Sequence, residues 1–69
     1  MTEPYRMREY DEVLGPLHAV DKFEGSCLAL IGKIPVLLPS ELADKLQSLI
    51  GQHIAVLRLD GYRLRVLDS

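Results

Sequence analysis

The chain has 69 residues and a formal net charge of −2 at pH 7, which allows one domain with a small core. The acidic balance excludes a general nucleic-acid coat, since that role needs a basic excess to neutralise phosphates. The single cysteine, Cys27, excludes an intramolecular disulfide, so support must come from tight packing or from oligomerisation.

Residues 1–12 are polar, with Tyr5, Met7 and Tyr10 among charges, and are expected to form an N-terminal arm, either mobile or added as an extra edge strand. The opening residues have no apolar run of the kind a secretory signal carries. Residues 13–69 are expected to form one small β-barrel domain. Val13-Leu14-Gly15-Pro16 reads as an entry bend, after which Leu17, Ala19, Asp21 and Phe23 alternate with His18, Val20, Lys22 and Glu24 as a strand does. Gly25-Ser26 ends that strand in a turn.

Cys27 to Ile31 and Ile34 to Leu38 are short apolar runs around Gly32-Lys33, consistent either with a type II′ hairpin with glycine at its first central position or with one continuous strand kinked at Gly32. Pro35 has no N–H to give a ladder, so its amide side must face an edge or a bulge. The whole stretch from Cys27 to Leu38 is far shorter than the roughly 20 residues of a membrane span. A cytoplasmic protein without membrane contact is expected.

Pro39-Ser40-Glu41 predicts the start of a helix spanning roughly residues 40 to 50, with Ser40 as cap and Glu41 favoured by the helix dipole. Leu42, Leu46, Leu49 and Ile50 share a stripe, Glu41 and Lys45 form an i,i+4 pair, and Gly51 supplies the stop. Such a helix plugs an open barrel end.

The last element is a hairpin from Ile54 to Leu67 about Asp60-Gly61, two residues that tolerate the positive φ of a type I′ turn. A two-residue loop pairs Leu59 with Tyr62, Leu57 with Leu64 and Ala55 with Val66 on one face, and Arg58 with Arg63 and Val56 with Arg65 on the other. Arg58, Arg63 and Arg65 are then expected on one cationic face, while the acids Glu3, Glu9, Asp11, Glu12, Asp21 and Glu24 lie early in the chain.

The predicted order, β-β-β-α-β-β, is the connectivity of a five-stranded OB-like barrel with one capping helix. Leu38-Pro39-Ser40-Glu41-Leu42-Ala43-Asp44-Lys45-Leu46 and Ile50-Gly51-Gln52-His53-Ile54-Ala55-Val56-Leu57-Arg58 are similar to the second half of S1-like OB domains of the translation initiation factor 1A type. Members of that family bind RNA or the ribosome, and the likeness covers about half the chain. Two further resemblances compete. Gly32-Lys33-Ile34, Leu38-Pro39-Ser40-Glu41-Leu42 and the late Asp60-Gly61 resemble AbrB-type swapped-hairpin DNA-binding domains, with Pro35-Val36 lengthening the first run. Leu46 to Gly51 leading into Ile54-Ala55-Val56-Leu57 resembles the opening of Sm-like barrels.

Directly opposed arginines cost about as much as good cross-strand pairs give, roughly 0.2–1 kcal/mol, so the expected Arg58–Arg63 pair needs an offset. A bound anion, such as a nucleic-acid phosphate or a partner's acidic patch, supplies one; neighbouring carboxylates, or splaying into water, supply the other. Tyr5, Tyr10, Tyr62 and Phe23 are the only aromatics, few for a base-stacking surface. His18, His53 and Cys27 show no ligand or nucleophile spacing, and no phosphate loop is present. The expectation is a non-enzymatic binding module without metal or cofactor, its anion site at Arg58, Arg63 and Arg65 and its partner RNA or single-stranded DNA. The alternatives are a protein-interaction module that self-associates through an apolar strand face, using Val36-Leu37-Leu38, Ile54 and Val56, and an AbrB-like binder of duplex DNA.

Overall fold

A computed structural model describes residues 4–67; the first three residues of the expected arm and the last two of the expected barrel domain lie outside that range. The elements are β1 (Tyr5–Arg6), β2 (Glu12–Phe23), β3 (Ser26–Ile31), β4 (Ile34–Pro39), a 3-10 turn (Ser40–Leu42), α1 (Ala43–Gln47), β5 (His53–Arg58) and β6 (Tyr62–Val66). The six strands form one sheet in the order β1-β4-β3-β2-β5-β6, curled into a half-barrel with one short helix, a mainly-β fold compatible with an OB-like one. The sixth strand comes from the arm, where Tyr5 and Arg6 run parallel to Val36 and Leu37. No helix among the described residues is long and apolar enough to cross a membrane.

The curl is built into β2. Its first half pairs with β5, from Glu12↔Leu57 to Pro16↔His53, and its second half pairs with β3, from Leu17↔Ile31 to Phe23↔Ser26. Val13 to Pro16, expected as an entry bend, is therefore strand. Gly15, at φ +155°, makes the bend possible: a Cβ there would lie 3.3 Å from the Gly32 backbone nitrogen. Pro16 cannot donate, and its carbonyl instead accepts the Gly32 N–H at 2.8 Å, tying the bend to the β3–β4 hairpin. A register shift between Leu17 and Ala19 then turns both Leu17 and Val20 inward. The expected two-residue hairpin at Gly32-Lys33 is present, with Ile31 opposite Ile34 and Gly32 at φ 62°.

The helix is shorter than the expected 40–50 span. Pro39, not Ser40, occupies the cap position of its 3-10 turn, extended at φ −61° and ψ 143°, and no side chain caps either segment. The far end is unwound by tertiary hydrogen bonds, since the Gly51 N–H goes to the Leu17 carbonyl and the Gln52 carbonyl accepts the Leu17 N–H. Leu46 is nonetheless fully buried, with Leu42, Ala43 and Leu49 packed against the same core. Gln47 Nε2 donates to the Val20 carbonyl at 3.0 Å and fixes the plug on β2.

The core comprises Met7, Val13, Leu17, Val20, Cys27, Ala29, Ile31, Val36, Leu38, Leu46, Ile54 and Val56. Ile54, Val56, Val36 and Leu38 thus face inward, which corrects the expectation of an exposed apolar strand face made from them. Only Leu37 of that set is half-buried on the outer surface.

Candidate functional site

The last hairpin turns about Asp60 and Gly61, both at positive φ (51° and 107°), as their residue types dictate. Its loop, however, is three residues long. Arg58 pairs with Tyr62, Leu57 with Arg63, Val56 with Leu64, Ala55 with Arg65 and Ile54 with Val66. This one-residue slip moves the β6 side chains across the sheet relative to β5, and it overturns the expected common face. Arg63 and Arg65 remain together on the outer surface, beside Leu57 and Ala55, whereas Arg58 lies on the opposite face with Tyr62, Leu64 and the buried Ile54 and Val56. The expected Arg58–Arg63 repulsion does not arise.

The slip is held by the arm. Glu9 Oε1 accepts the Asp60 N–H at 2.8 Å, Tyr10 donates its N–H to the Arg58 carbonyl at 2.6 Å, and the Arg58 N–H returns to the Asp11 carbonyl at 2.9 Å. The Arg58 side chain is locked as well: its guanidinium lies 5.4 Å from the Tyr62 ring centroid, a cation–π distance, and its Nη1 donates to the Met7 carbonyl.

Arg58 thereby joins two arginines that the sequence reasoning missed, Arg6 and Arg8. An open depression of about 800 Å³ is lined by Pro4, Tyr5, Arg6, Met7, Arg8, Asp11 and Arg58. An adjoining recess of about 250 Å³, between β4 and the β5–β6 hairpin, shares Arg6, Met7 and Arg58 and adds Tyr62 and Leu37. Together they form a groove along the seam where the half-barrel stays open, lined by Arg6, Arg8 and Arg58, with Tyr5 in the depression and Tyr62 in the recess. The alternation Arg6-Met7-Arg8 was the available signal, one apolar residue turned inward between two cations turned outward.

The carboxylates nearby are already engaged. Asp11 Oδ2 accepts the Tyr5 hydroxyl at 2.5 Å and the Arg8 N–H at 2.7 Å. The Tyr5 hydrogen bond, and after it the Arg8 amide, hold the Asp11 carboxyl below its ordinary pKa, while the same bond pushes the Tyr5 phenol up. Among the described residues the ion pair within 4.0 Å joins Arg65 to Glu12, at 3.8 Å across the outer face. Arg6, Arg8 and Arg58 have no such partner within 4.0 Å among those residues, although the charges of Arg8 and Arg58 add to the lowering of the Asp11 pKa.

The residues weighed for other chemistry do not converge on this groove. His18 and His53 are exposed on β2 and β5. Cys27 is fully buried, its Sγ donates to the Pro39 carbonyl at 3.3 Å, and burial pushes its thiol pKa up. No protein-family model matches the chain, and no curated protein and no solved structure matches it either.

Proposed function

We propose that this protein is a non-enzymatic binding module of OB-like architecture that holds an anionic, single-stranded nucleic acid in the seam groove, with RNA or single-stranded DNA as its partner. The observation that carries this is the meeting of Arg6, Arg8 and Arg58 with Tyr5 and Tyr62 along one groove, where no carboxylate of the described residues lies within 4.0 Å of the three guanidinium groups. Single-strand binders combine a cationic track for the phosphates with aromatic rings for the bases. A groove with both suits such a ligand better than the outer pair Arg63 and Arg65, where Glu12 already answers one charge. The acidic whole is compatible with this, because the cations are local.

Fluorescence anisotropy with labelled RNA and DNA oligonucleotides of about 12 nucleotides, at increasing salt, tests the proposal. Three phosphate contacts give a slope of about −2 in log K against log salt, and Arg6→Ser with Arg8→Ser removes about 1.4 of it. Arg63→Ser with Arg65→Ser should leave the slope unchanged. Absence of binding at low salt overturns the proposal, as does binding that ignores the groove pair, follows the outer pair, or favours duplex over single strands.

A further inference from the structure

The sheet ends at β6, and half of that strand's backbone is unused. Arg58 donates its N–H to the Asp11 carbonyl and accepts the Tyr10 N–H, so its backbone groups face the arm, and those of its neighbour Leu57 face β6. The Leu67 N–H on the His53 carbonyl, at 2.8 Å, sets the same phase at the far end. Arg63 and Arg65, opposite Leu57 and Ala55, therefore direct their N–H and C=O groups to β5. Tyr62, Leu64 and Val66 turn theirs outward, where no strand pairs with them among the described residues.

The other end of the sheet is closed differently. There β4 carries Pro35 and Pro39, which have no N–H, and β1 covers Val36 and Leu37. β6 has neither a proline nor a register shift; what it has is charge. Arg63 and Arg65 stand on its outer side, both exposed, while Tyr62, Leu64 and Val66 lie on the side of the buried Ile54 and Val56. Val66 is 45% exposed there, so the core face is uncovered where the edge begins.

We infer that this edge takes up an extended acidic segment of a partner protein as an added antiparallel strand. Such a strand hydrogen-bonds to Tyr62, Leu64 and Val66, and its residues opposite Arg63 and Arg65 fall in non-hydrogen-bonded pairs, where side chains approach most closely. Carboxylates belong at those two positions. The alternate side chains extend over Leu64 and Val66 and are apolar, which gives the pattern apolar-acid-apolar-acid-apolar. The contact is lateral, about 4.8 Å between neighbouring strands, so the curl of the sheet does not part the pairs. A second copy's β6 fits the edge badly: centred on Leu64 it sets Arg63 against Arg65 twice, and one step to either side it sets Arg63 against Arg63 or Arg65 against Arg65. Arg65 is shared with Glu12 at 3.8 Å, whereas Arg63 has no carboxylate within 4.0 Å among the described residues.

The site is short, so a five-residue strand should bind at about 0.1–1 mM. The inference does not rest on the groove, and its assay contains no oligonucleotide. NMR titration of the full chain with the peptide acetyl-Gly-Val-Glu-Val-Glu-Val-Gly-amide tests it. Amide shifts should centre on Tyr62, Leu64 and Val66, and these amides should exchange more slowly as their N–H groups gain acceptors. The analogue with lysine for both glutamates should bind at least about tenfold more weakly. Arg63→Glu with Arg65→Glu should reverse that preference. N-methylation of the central valine removes the donor facing Leu64 and should weaken binding by about tenfold, whereas N-methylation of a glutamate, whose N–H points away, should change it less than about threefold. Equal binding of the two peptides overturns the inference, as does no binding at about 3 mM, indifference to the valine methyl, or shifts centred on Arg6 and Arg8. Protection of the same three amides by self-association, without peptide, gives the edge to a second copy and overturns it too.

Discussion

At the scale of single residues, the arm is fastened by one hydrogen-bonded cluster whose charge state depends on pH. Asp11 accepts from the Tyr5 hydroxyl and from the Arg8 amide, and both bonds favour the ionised carboxylate, which is why its pKa lies low in the folded chain. The sign follows from linkage: a depressed folded pKa contributes stability that is fully present above the unfolded value of about 3.9 and is lost as pH falls through the folded one. Tyr5 works in the opposite direction, its raised pKa favouring the neutral phenol, so its share is present below about 10 and lost as pH rises through the folded value. The anchor should therefore hold through the neutral range and loosen at both extremes. Amide exchange read by NMR should show Arg8 protected near neutrality, less protected in acid, and unprotected at every pH in Asp11→Ala. Protection of Arg8 that persists in Asp11→Ala would mean that other contacts hold the arm.

At the scale of elements, α1 contributes burial far beyond its five residues. A helix this short has no independent stability, so it exists because Leu46 enters the core and Gln47 reaches the Val20 carbonyl. Leu46→Ala should cost about 2–5 kcal/mol, a large share of the 5–15 kcal/mol typical of a whole domain. Urea denaturation should give a midpoint well below wild type, whereas Ser40→Ala, at a residue that caps nothing, should shift it little. The helix and the Gly32-Lys33 hairpin were legible in the sequence because both are written in local residues: a leucine stripe, and a glycine between apolar runs. The loop length of the last hairpin was not. Asp60 and Gly61 announce a turn in either register, and the choice between two and three loop residues is made by Glu9 on the Asp60 amide and Tyr62 beneath Arg58. Glu9 comes from a segment 51 positions away.

At the scale of the whole molecule, the same distance in sequence explains why the candidate site was only partly visible. Arg58 lies in a strand legible from its alternation, but its neighbours Arg6 and Arg8 carry only the three-residue alternation Arg6-Met7-Arg8, and their relation to β5 exists only after β1 pairs with β4. That pairing spans two residues and would be negligible alone. What makes it count is Met7, which follows it directly and is 2% exposed within the core. If the arm is an integral stave of the half-barrel, Met7→Ala should behave as a core truncation, lowering global stability by about 2–5 kcal/mol. Slowly exchanging amides in β3 and β5 should then lose protection together with those of the arm, because removing a core side chain destabilises the cooperative unit. If the arm is only a strap over a finished barrel, Met7→Ala would free the Tyr10 amide from the Arg58 carbonyl and leave the urea midpoint where it was. Hydrogen exchange and denaturation on the same variant separate the two. Burial of Met7 beside Leu38 and Val56 in one cluster favours the first: the cavity left by its loss would border the seam groove, so oligonucleotide affinity should fall with stability rather than independently of it.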